Sequence, residues 1–421
     1  MRRDKQMIRK MVPALAVGAL LTLAACGGAA ESSSDGSDGV KMGPGVTDKE
    51  INVGILSDYS GPIAEAATSG SLGMEAKFDA VNAAGGVCGR KLVAVKGDTK
   101  YDAQATTQAY RSTASKVLMI GEVLGSVSID AIKTNLERDN MPALAISLNT
   151  STMVGKNIYV PLPVFEVELG NGLTWAAEKA GASEDKPVKV GVVTGSDAYG
   201  KAYASAVKAV AEATPGVEVV SDVTFALSDQ DFTAQVSDLK GSGADIVMLG
   251  TGPAQTAGFV GTAAQLGYDP TWVAASGAWF ASLAEPLKGL LDKFYVSGGY
   301  GTLADDVPGI TAMKEAVTKF SPDAKPSNFT VGGWLFGDAT VAALEKACDN
   351  KDLTREGVIE AMKDLDVDYE GITPAVNLGD GDSIVSYSSR MNSVGPDGEL
   401  VPIGDFYASD ATKQWGADNG F

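Results

Sequence analysis

The sequence predicts an α/β fold of two lobes with mainly parallel sheets, and three observations support this prediction. Short apolar runs alternate with helical patterns in two successive series, which indicates βαβ units. The turns between them are rich in Gly, Ser, Asp and Pro, as strand-to-helix turns usually are. The chain has 421 residues, of which 45% are hydrophobic and 21% are charged, so it is long and apolar enough for two domains.

The first series begins at residue 51. Its apolar runs are too short for helices, so we interpret them as buried parallel strands, and the segments between them show helical spacing. The predicted strands are residues 51–56, 91–95, 117–123 and 142–147, and the predicted helices are residues 64–82, 103–115 and 129–139.

A second series of similar size follows, and the pattern becomes more helical beyond residue 294. Thr354 is the predicted N-cap of the last helix in this region. The chain then continues as short strand-like pieces interrupted by Gly395, Pro396 and Gly398, which predict hairpins. The predicted strands are residues 188–193, 217–225, 245–249 and 272–275, and the predicted helices are residues 199–213, 232–240, 254–266, 310–320, 333–346 and 354–365.

One strand-to-helix turn in the first series has the features of an anion site. The strand at residues 117–123 is followed by Gly125 and Ser126, after which a helical pattern begins. A helix N-terminus carries unpaired N–H groups and a partial positive charge, so a carboxylate beside Ser126 would be stabilised there. The alternative is an ordinary turn without a ligand.

Composition disfavours two functional classes. The formal net charge is −19 and there is no basic stripe, so we expect no nucleic-acid partner. The sequence contains no histidine, which removes the commonest general base and metal ligand, and its cysteines lack zinc-like spacing. We therefore expect no enzymatic activity, no cofactor and no metal site.

The N-terminal residues have the pattern of an export signal. Five basic residues lie within the first ten positions, and an apolar run shorter than a membrane span leads to Leu23-Ala24-Ala25-Cys26. This ending resembles a bacterial lipobox, so we expect residues 1–25 to be a signal peptide and Cys26 to be lipidated. The alternative is a plain secreted protein with an incidental cysteine. Residues 26–48 are rich in Gly, Ser and Asp and predict a flexible tether to the outer face of the cytoplasmic membrane.

Export also affects the interpretation of the remaining cysteines, Cys88 and Cys348. In an oxidising compartment two cysteines pair more often than they bind metal, so we predict a disulfide between them. The alternative is two buried, unpaired thiols.

Several segments, in this order, resemble the leucine/isoleucine/valine-binding protein family of extracytoplasmic solute receptors. Together they extend over most of residues 49–380. They are INVGIL at residues 51–56, SGP at 60–62, VNAAGGVCGRKL at 81–92, Asp98 with Tyr101-Asp102, DAYG at 197–200, DFTAQV at 231–236, and residues 257–267 and 353–357.

The resemblance implies two Rossmann-like lobes joined by three hinge crossings, with a ligand cleft between the lobes. It implies a monomer that closes on a small solute and delivers it to an ABC permease. The first lobe would comprise residues 49–164 with 297–378, and the second residues 165–296 with 379–415. Cys88 and Cys348 would then lie in the same lobe.

The resemblance also implies site residues. Ser126 matches the serine whose hydroxyl and neighbouring amides hold the ligand carboxylate. Ser147 begins a ligand-contacting loop, and either Asn149 or Thr150 occupies its hydroxyl position. Tyr199 matches a cleft-lining tyrosine of the second lobe, and its alternative role is that of a surface aromatic capping a helix.

Ser276 is a departure from the family pattern. It stands where the family's amino-acid receptors place an acid that pairs with the ligand ammonium, and burial of an ammonium without such a partner is costly. Asp58 and Glu122 are candidate replacements, and Trp279 and Phe280 are candidates for an apolar wall or for core packing.

We expect a solute receptor without turnover. Its ligand is either a branched-chain amino acid or a related small polar or carboxylated solute, or else an aromatic or other organic acid or an amide. A ligand-sensing module of the same fold is a further alternative.

Overall fold

The computed structural model describes residues 34–153, 155–196, 198–226 and 228–421, with the side chains of residues 34, 35, 198 and 199 also left undescribed. The predicted signal peptide and Cys26 lie outside the described residues. Within the described part of the chain, no helix is both long and apolar enough to cross a membrane.

The first lobe is built around a five-stranded parallel sheet with the strand order β4-β3-β5-β6-β7. Every residue of its central strand β5 is buried, which explains the uninterrupted apolar run in the sequence. Its elements are β1 (Ser34–Asp35), β2 (Lys41–Met42), β3 (Glu50–Ser57), α1 (Ala64–Ala83), β4 (Lys91–Asp98), α2 (Ala103–Thr113), β5 (Met119–Leu124), α3 (Ser126–Arg138), β6 (Ala143–Ile146) and β7 (Ile158–Tyr159).

The second lobe has a seven-stranded sheet, of which the first four strands in sequence order continue the βαβ pattern. Its core packs aromatic side chains from the helices and strands of this lobe. The elements up to the next crossing are α4 (Phe165–Ala180), β8 (Val188–Gly195), α5 (Ala198–Glu212), β9 (Val217–Phe225), α6 (Thr233–Ser242), β10 (Ile246–Gly250), α7 (Pro253–Gln265), β11 (Thr271–Ala275) and β12 (Phe294–Gly298).

The chain then returns to the first lobe. The longest helix there begins before the predicted residue 333, and at its start the N–H of Ser327 donates to Oγ1 of Thr330 at 2.9 Å. Thr354 accepts a hydrogen bond from the N–H of Gly357 at 3.1 Å and caps the next helix, as predicted. These elements are α8 (Pro308–Phe320), α9 (Asn328–Asp349), β13 (Asp352–Leu353), α10 (Arg355–Met362), β14 (Asp366–Val367) and β15 (Val376–Asn377).

A third crossing brings the chain back to the second lobe, where β16 (Ser389–Val394), β17 (Leu400–Tyr407) and α11 (Asp410–Asp418) complete the fold. The full order of the second sheet is β17-β16-β12-β11-β10-β8-β9, with antiparallel pairing only where β16 meets β12 and β17. The predicted α/β fold with two lobes and three crossings is confirmed.

Helices α1 and α9 of the first lobe pack closely because glycines line their contact. A Cβ atom on Gly73 would collide with the backbone oxygen of Thr330, and one on Gly333 would collide with the backbone of Gly70. The disulfide between Cys88 and Cys348 joins the segment after α1 to the end of α9, with the Cα atoms 6.2 Å apart. The two helices therefore form one unit beside the cleft.

The flexible tether predicted for residues 26–48 is wrong from residue 34 onward. Strands β1 and β2 pair with each other, and β2 continues in parallel with β13. The guanidinium of Arg90, whose side chain is almost fully buried, donates to the Asp38 carboxylate at 2.7 Å and to the backbone oxygen of Thr47 at 2.9 Å. The composition of this segment does not predict the packing, because the residues that it contacts come from distant parts of the chain.

Candidate ligand-binding site

A cavity of about 360 Å³ lies between the lobes, where ligands of open α/β sheets usually bind. Its volume is within the usual range of small-molecule pockets, roughly 300–1,000 Å³. The first lobe contributes α1, α9 and the residues that follow β5 and β6, and the second contributes the residues that follow β10 and β11. Most of the lining side chains are apolar, so the few polar groups in the wall determine what can bind.

The polar end of the cavity is the start of α3. Gly125 is the N-cap with φ 88° and ψ 147°, and no side chain caps the first turn. A Cβ atom on Gly125 would collide with the ring of Tyr101, so both the conformation and the packing require glycine. The N–H groups of this first turn are thus available to an acceptor in the cavity.

Two serine hydroxyls stand at this end of the cavity. The Oγ atoms of Ser126 and Ser147 are 2.6 Å apart, and both residues line the cavity. Asn149 is fully buried behind them, and its Nδ2 donates to Ser147 at 2.5 Å and to Ser126 at 3.2 Å. Because one hydroxyl proton serves the Ser126–Ser147 bond, the other is available to a ligand oxygen.

The structure separates the remaining predicted residues of this loop from the cavity. The N–H and Oγ1 of Thr150 both donate to Oε1 of Glu166, at 3.0 and 2.8 Å. Neither Asn149 nor Thr150 is among the lining residues, so Asn149 orients the serines and Thr150 fixes the loop. Tyr199 belongs to α5, but its side chain lies outside the described part of the structure.

Ser276 lines the cavity at the end of β11, but its N–H and hydroxyl are hydrogen-bonded within the protein. Its N–H and Oγ donate to the carboxylate of Glu168 on α4, at 2.8 and 3.0 Å. The same carboxylate accepts from the N–H of Gly299 at 2.7 Å. Burial raises the pKa of Glu168 to about 8, while these donors act in the opposite direction. Sequence reasoning missed Glu168, which links β11 to the crossing after β12.

The two acids considered as replacements at Ser276 have different positions. The carboxylate of Asp58 accepts from the N–H groups of Gly61 and Ile63, at 2.5 and 2.9 Å, and does not line the cavity. Glu122 does line it, and burial raises the pKa of this carboxyl to about 7. Its Oε2 has no hydrogen-bond partner among the described residues.

The rest of the wall is mostly apolar, with Tyr101, Thr251, Gln255 and Tyr300 as its other polar residues. Phe280 and Phe329 meet edge to face with ring centroids 4.7 Å apart, one from each lobe. Trp279 lies in the core of the second lobe, where its Nε1 donates to the backbone oxygen of Gly398 at 3.0 Å. The cavity extends between α1 and α9 along glycine-containing surfaces that include Gly70 and Gly332. Among the described residues, no group of three or more acidic or cysteine side chains is arranged to hold a metal ion.

Comparison with known proteins gives one consistent family. A leucine/isoleucine/valine-binding protein homologue (homolog 7) of Brucella abortus is 22% identical over 384 residues, covering 86% of this chain and 94% of that protein.

Two solved structures have the same architecture over nearly their full lengths. The fatty acid ABC transporter substrate-binding protein of Thermomonospora curvata is 31% identical, with a TM-score of 0.84 over 91% of this chain and 98% of its own. A valine-bound branched-chain amino acid ABC transporter structure from Thermus thermophilus is 17% identical, with a TM-score of 0.74 over 87% of this chain and 98% of its own. The family model for periplasmic binding proteins matches residues 50–394, so the chain belongs to the periplasmic binding protein family, as a substrate-binding protein of the ABC-transporter type.

Proposed function

We propose that this substrate-binding protein captures a monocarboxylate with a predominantly apolar body and delivers it to the permease of an ABC importer. The observation that carries the proposal is the asymmetry of the cavity. Hydroxyls and free N–H groups converge at the start of α3, whereas the remaining wall is mostly apolar. A carboxylate at Ser126 would receive charge-assisted hydrogen bonds, and its apolar body would displace water from the cavity.

The acids near the cavity support a ligand without an ammonium group. Asp58 and Glu168 are both committed to backbone N–H groups. Glu122 lies in the wall, but burial favours its uncharged form. A buried ammonium without an ionised partner would be strongly disfavoured.

The relative with 31% identity supports the same ligand class, because its description names a fatty acid. The second candidate is a branched-chain amino acid, which the names of the Brucella relatives and the valine-bound Thermus structure favour. The serines at the start of α3 suit the carboxylate of either ligand.

Titration calorimetry on ligand-depleted protein tests this choice. Octanoate should bind, and leucine and valine should bind at least about tenfold more weakly, since each buries an unpaired ammonium. Tight leucine binding without octanoate binding would refute the proposed ligand class. A sensing role is separated from transport by measuring uptake of the bound solute in cells that lack this protein.

We also propose that the protein acts as a monomer outside the cytoplasmic membrane, held by a lipid on Cys26. The residues before Cys26 support this proposal, because they have the pattern of a lipoprotein signal. Cys26→Ser should move the protein from the membrane fraction to the soluble fraction, and unchanged membrane association would contradict lipidation.

A further inference from the structure

A second polar point of the cavity is the carboxyl group of Glu122. This residue belongs to β5, whose six residues are all buried, and only 1% of its surface is exposed. Oε2 has no hydrogen-bond partner among the described residues, and it lies beside Gly70 of α1. A Cβ atom on Gly70 would stand 3.8 Å from this oxygen, so glycine leaves space between the carboxyl and the helix.

A buried carboxyl oxygen without a partner is costly unless a ligand completes its hydrogen bonds. Neighbouring lining residues such as Phe329 and Phe336 have apolar side chains. A methylene group placed against the carboxyl would leave Oε2 unpaired, whereas a hydroxyl or carbonyl group would pair it. A site with such a buried polar group discriminates strongly against ligand analogues that lack the hydrogen-bonding group it would pair with.

We propose that Glu122 determines specificity by hydrogen-bonding a second polar group of the ligand, which makes the preferred substrate an oxygenated monocarboxylate. The carboxylate would bind at Ser126, and a hydroxyl or carbonyl group on the apolar body would bind Glu122. This inference rests on the proposed function, because it assumes that the carboxylate end lies at α3.

Chain geometry allows one small ligand to reach both points. Glu122 precedes Ser126 by four residues, so their Cα atoms are at most about 14 Å apart. Both residues line the same cavity of about 360 Å³. A single acid of moderate length can therefore contact both.

The charged groups around Glu122 leave its carboxyl available to donate as well as accept. Burial contributes most and brings its pKa to about 7, while the Ser57 hydroxyl lowers this pKa, Glu75 of α1 raises it and Lys96 of β4 lowers it. Lys96 donates to Glu75 at 2.6 Å and is thus already paired. The nearby Tyr59 hydroxyl bonds Ser71 at 2.7 Å. An uncharged carboxyl offers one O–H donor and keeps acceptor capacity, which suits a hydroxyl or carbonyl group of the ligand.

The test compares octanoate with octanoates that carry one hydroxyl at successive chain positions, using calorimetry at pH 6. At least one hydroxylated isomer should bind the wild type about tenfold or more tightly than octanoate. Glu122→Gln should keep this preference because the amide donates and accepts. Glu122→Met should abolish or reverse it, and thermal unfolding of each variant verifies that it is folded.

Ser126→Ala serves as the matched comparison, because it should weaken every octanoate by a similar factor and retain the hydroxyl preference. Equal affinities for octanoate and all hydroxylated isomers in the wild type would overturn the role of Glu122 while leaving the proposed function intact. Tighter binding of an amino-substituted octanoate that Glu122→Gln abolishes would also overturn it. Absence of binding by every octanoate would refute the proposed function itself.

Discussion

Replacing Glu122 by Gln should change how the free energy of unfolding depends on pH. Burial raises the pKa of this carboxyl from 4.5 to about 7 in the folded protein. Between these values the folded state holds a proton that the unfolded state has lost, so stability falls as the pH rises. A difference of one in pKa corresponds to about 1.4 kcal/mol, so the wild type should lose about 3 kcal/mol across this window through Glu122.

The amide of the Gln variant cannot ionise and avoids this loss. Relative to the wild type, Glu122→Gln should gain about 3 kcal/mol in unfolding free energy between about pH 4.5 and pH 8. Glu168 and Asp338, whose pKa values burial raises to about 8 and about 6, lower stability over overlapping windows, but they are present in both proteins and cancel in the difference. Urea unfolding at several pH values measures the difference. A stability difference that stays constant with pH would refute the reasoning.

Three further predictions concern the anchor, the turn and the disulfide. Ser126→Ala should weaken carboxylate binding by about 1–3 kcal/mol in calorimetry, and unchanged affinity would show that Ser126 is not an anchor. Gly125→Ala should lower unfolding free energy by about 1–3 kcal/mol or more in urea, because φ 88° is strained for alanine and the Cβ meets Tyr101; wild-type stability would contradict this. Replacing Cys88 and Cys348 by Ser should cost about 2–5 kcal/mol of stability, and an unchanged melting temperature would argue against a stabilising disulfide.

The central strands were predictable because a strand that is buried on both faces has apolar residues at consecutive positions. Strands β3, β5, β8 and β10 all overlap the predicted runs, and the glycine turn before Ser126 was visible for the same local reason. Strand β12 was not predicted, because its five residues end in Ser297 and Gly298 and lack a clear apolar pattern.

Helix α4 was missed because its sequence looks unlike an amphipathic helix. It contains Gly170 and Gly172, where a Cβ would meet Thr412 or Val273 from distant segments. It also buries Glu166 and Glu168, which bind backbone groups elsewhere in the fold. Tertiary contacts, rather than local helix propensity, stabilise these residues in a helix, and a local sequence pattern does not reveal such contacts.

The same missed helix explains the limits of the site prediction. Thr150 and Ser276 have the hydroxyls expected of ligand-binding residues, but both hydroxyls bind carboxylates of α4. The sequence makes Glu122 only a candidate, because its position at the cavity depends on how α1 packs beside it. Residue type indicated the available chemistry, and the fold determined which groups face the ligand.

Identification of the solute bound to freshly purified protein tests the central claim most directly. Denaturation should release a monocarboxylate whose remaining atoms are mostly apolar, matching the cavity that begins at Ser126. Mass spectrometry identifies this compound. The same compound should rebind to the depleted wild type and bind Ser126→Ala more weakly. Recovery of a free α-amino acid that rebinds with high affinity would contradict the proposed ligand class.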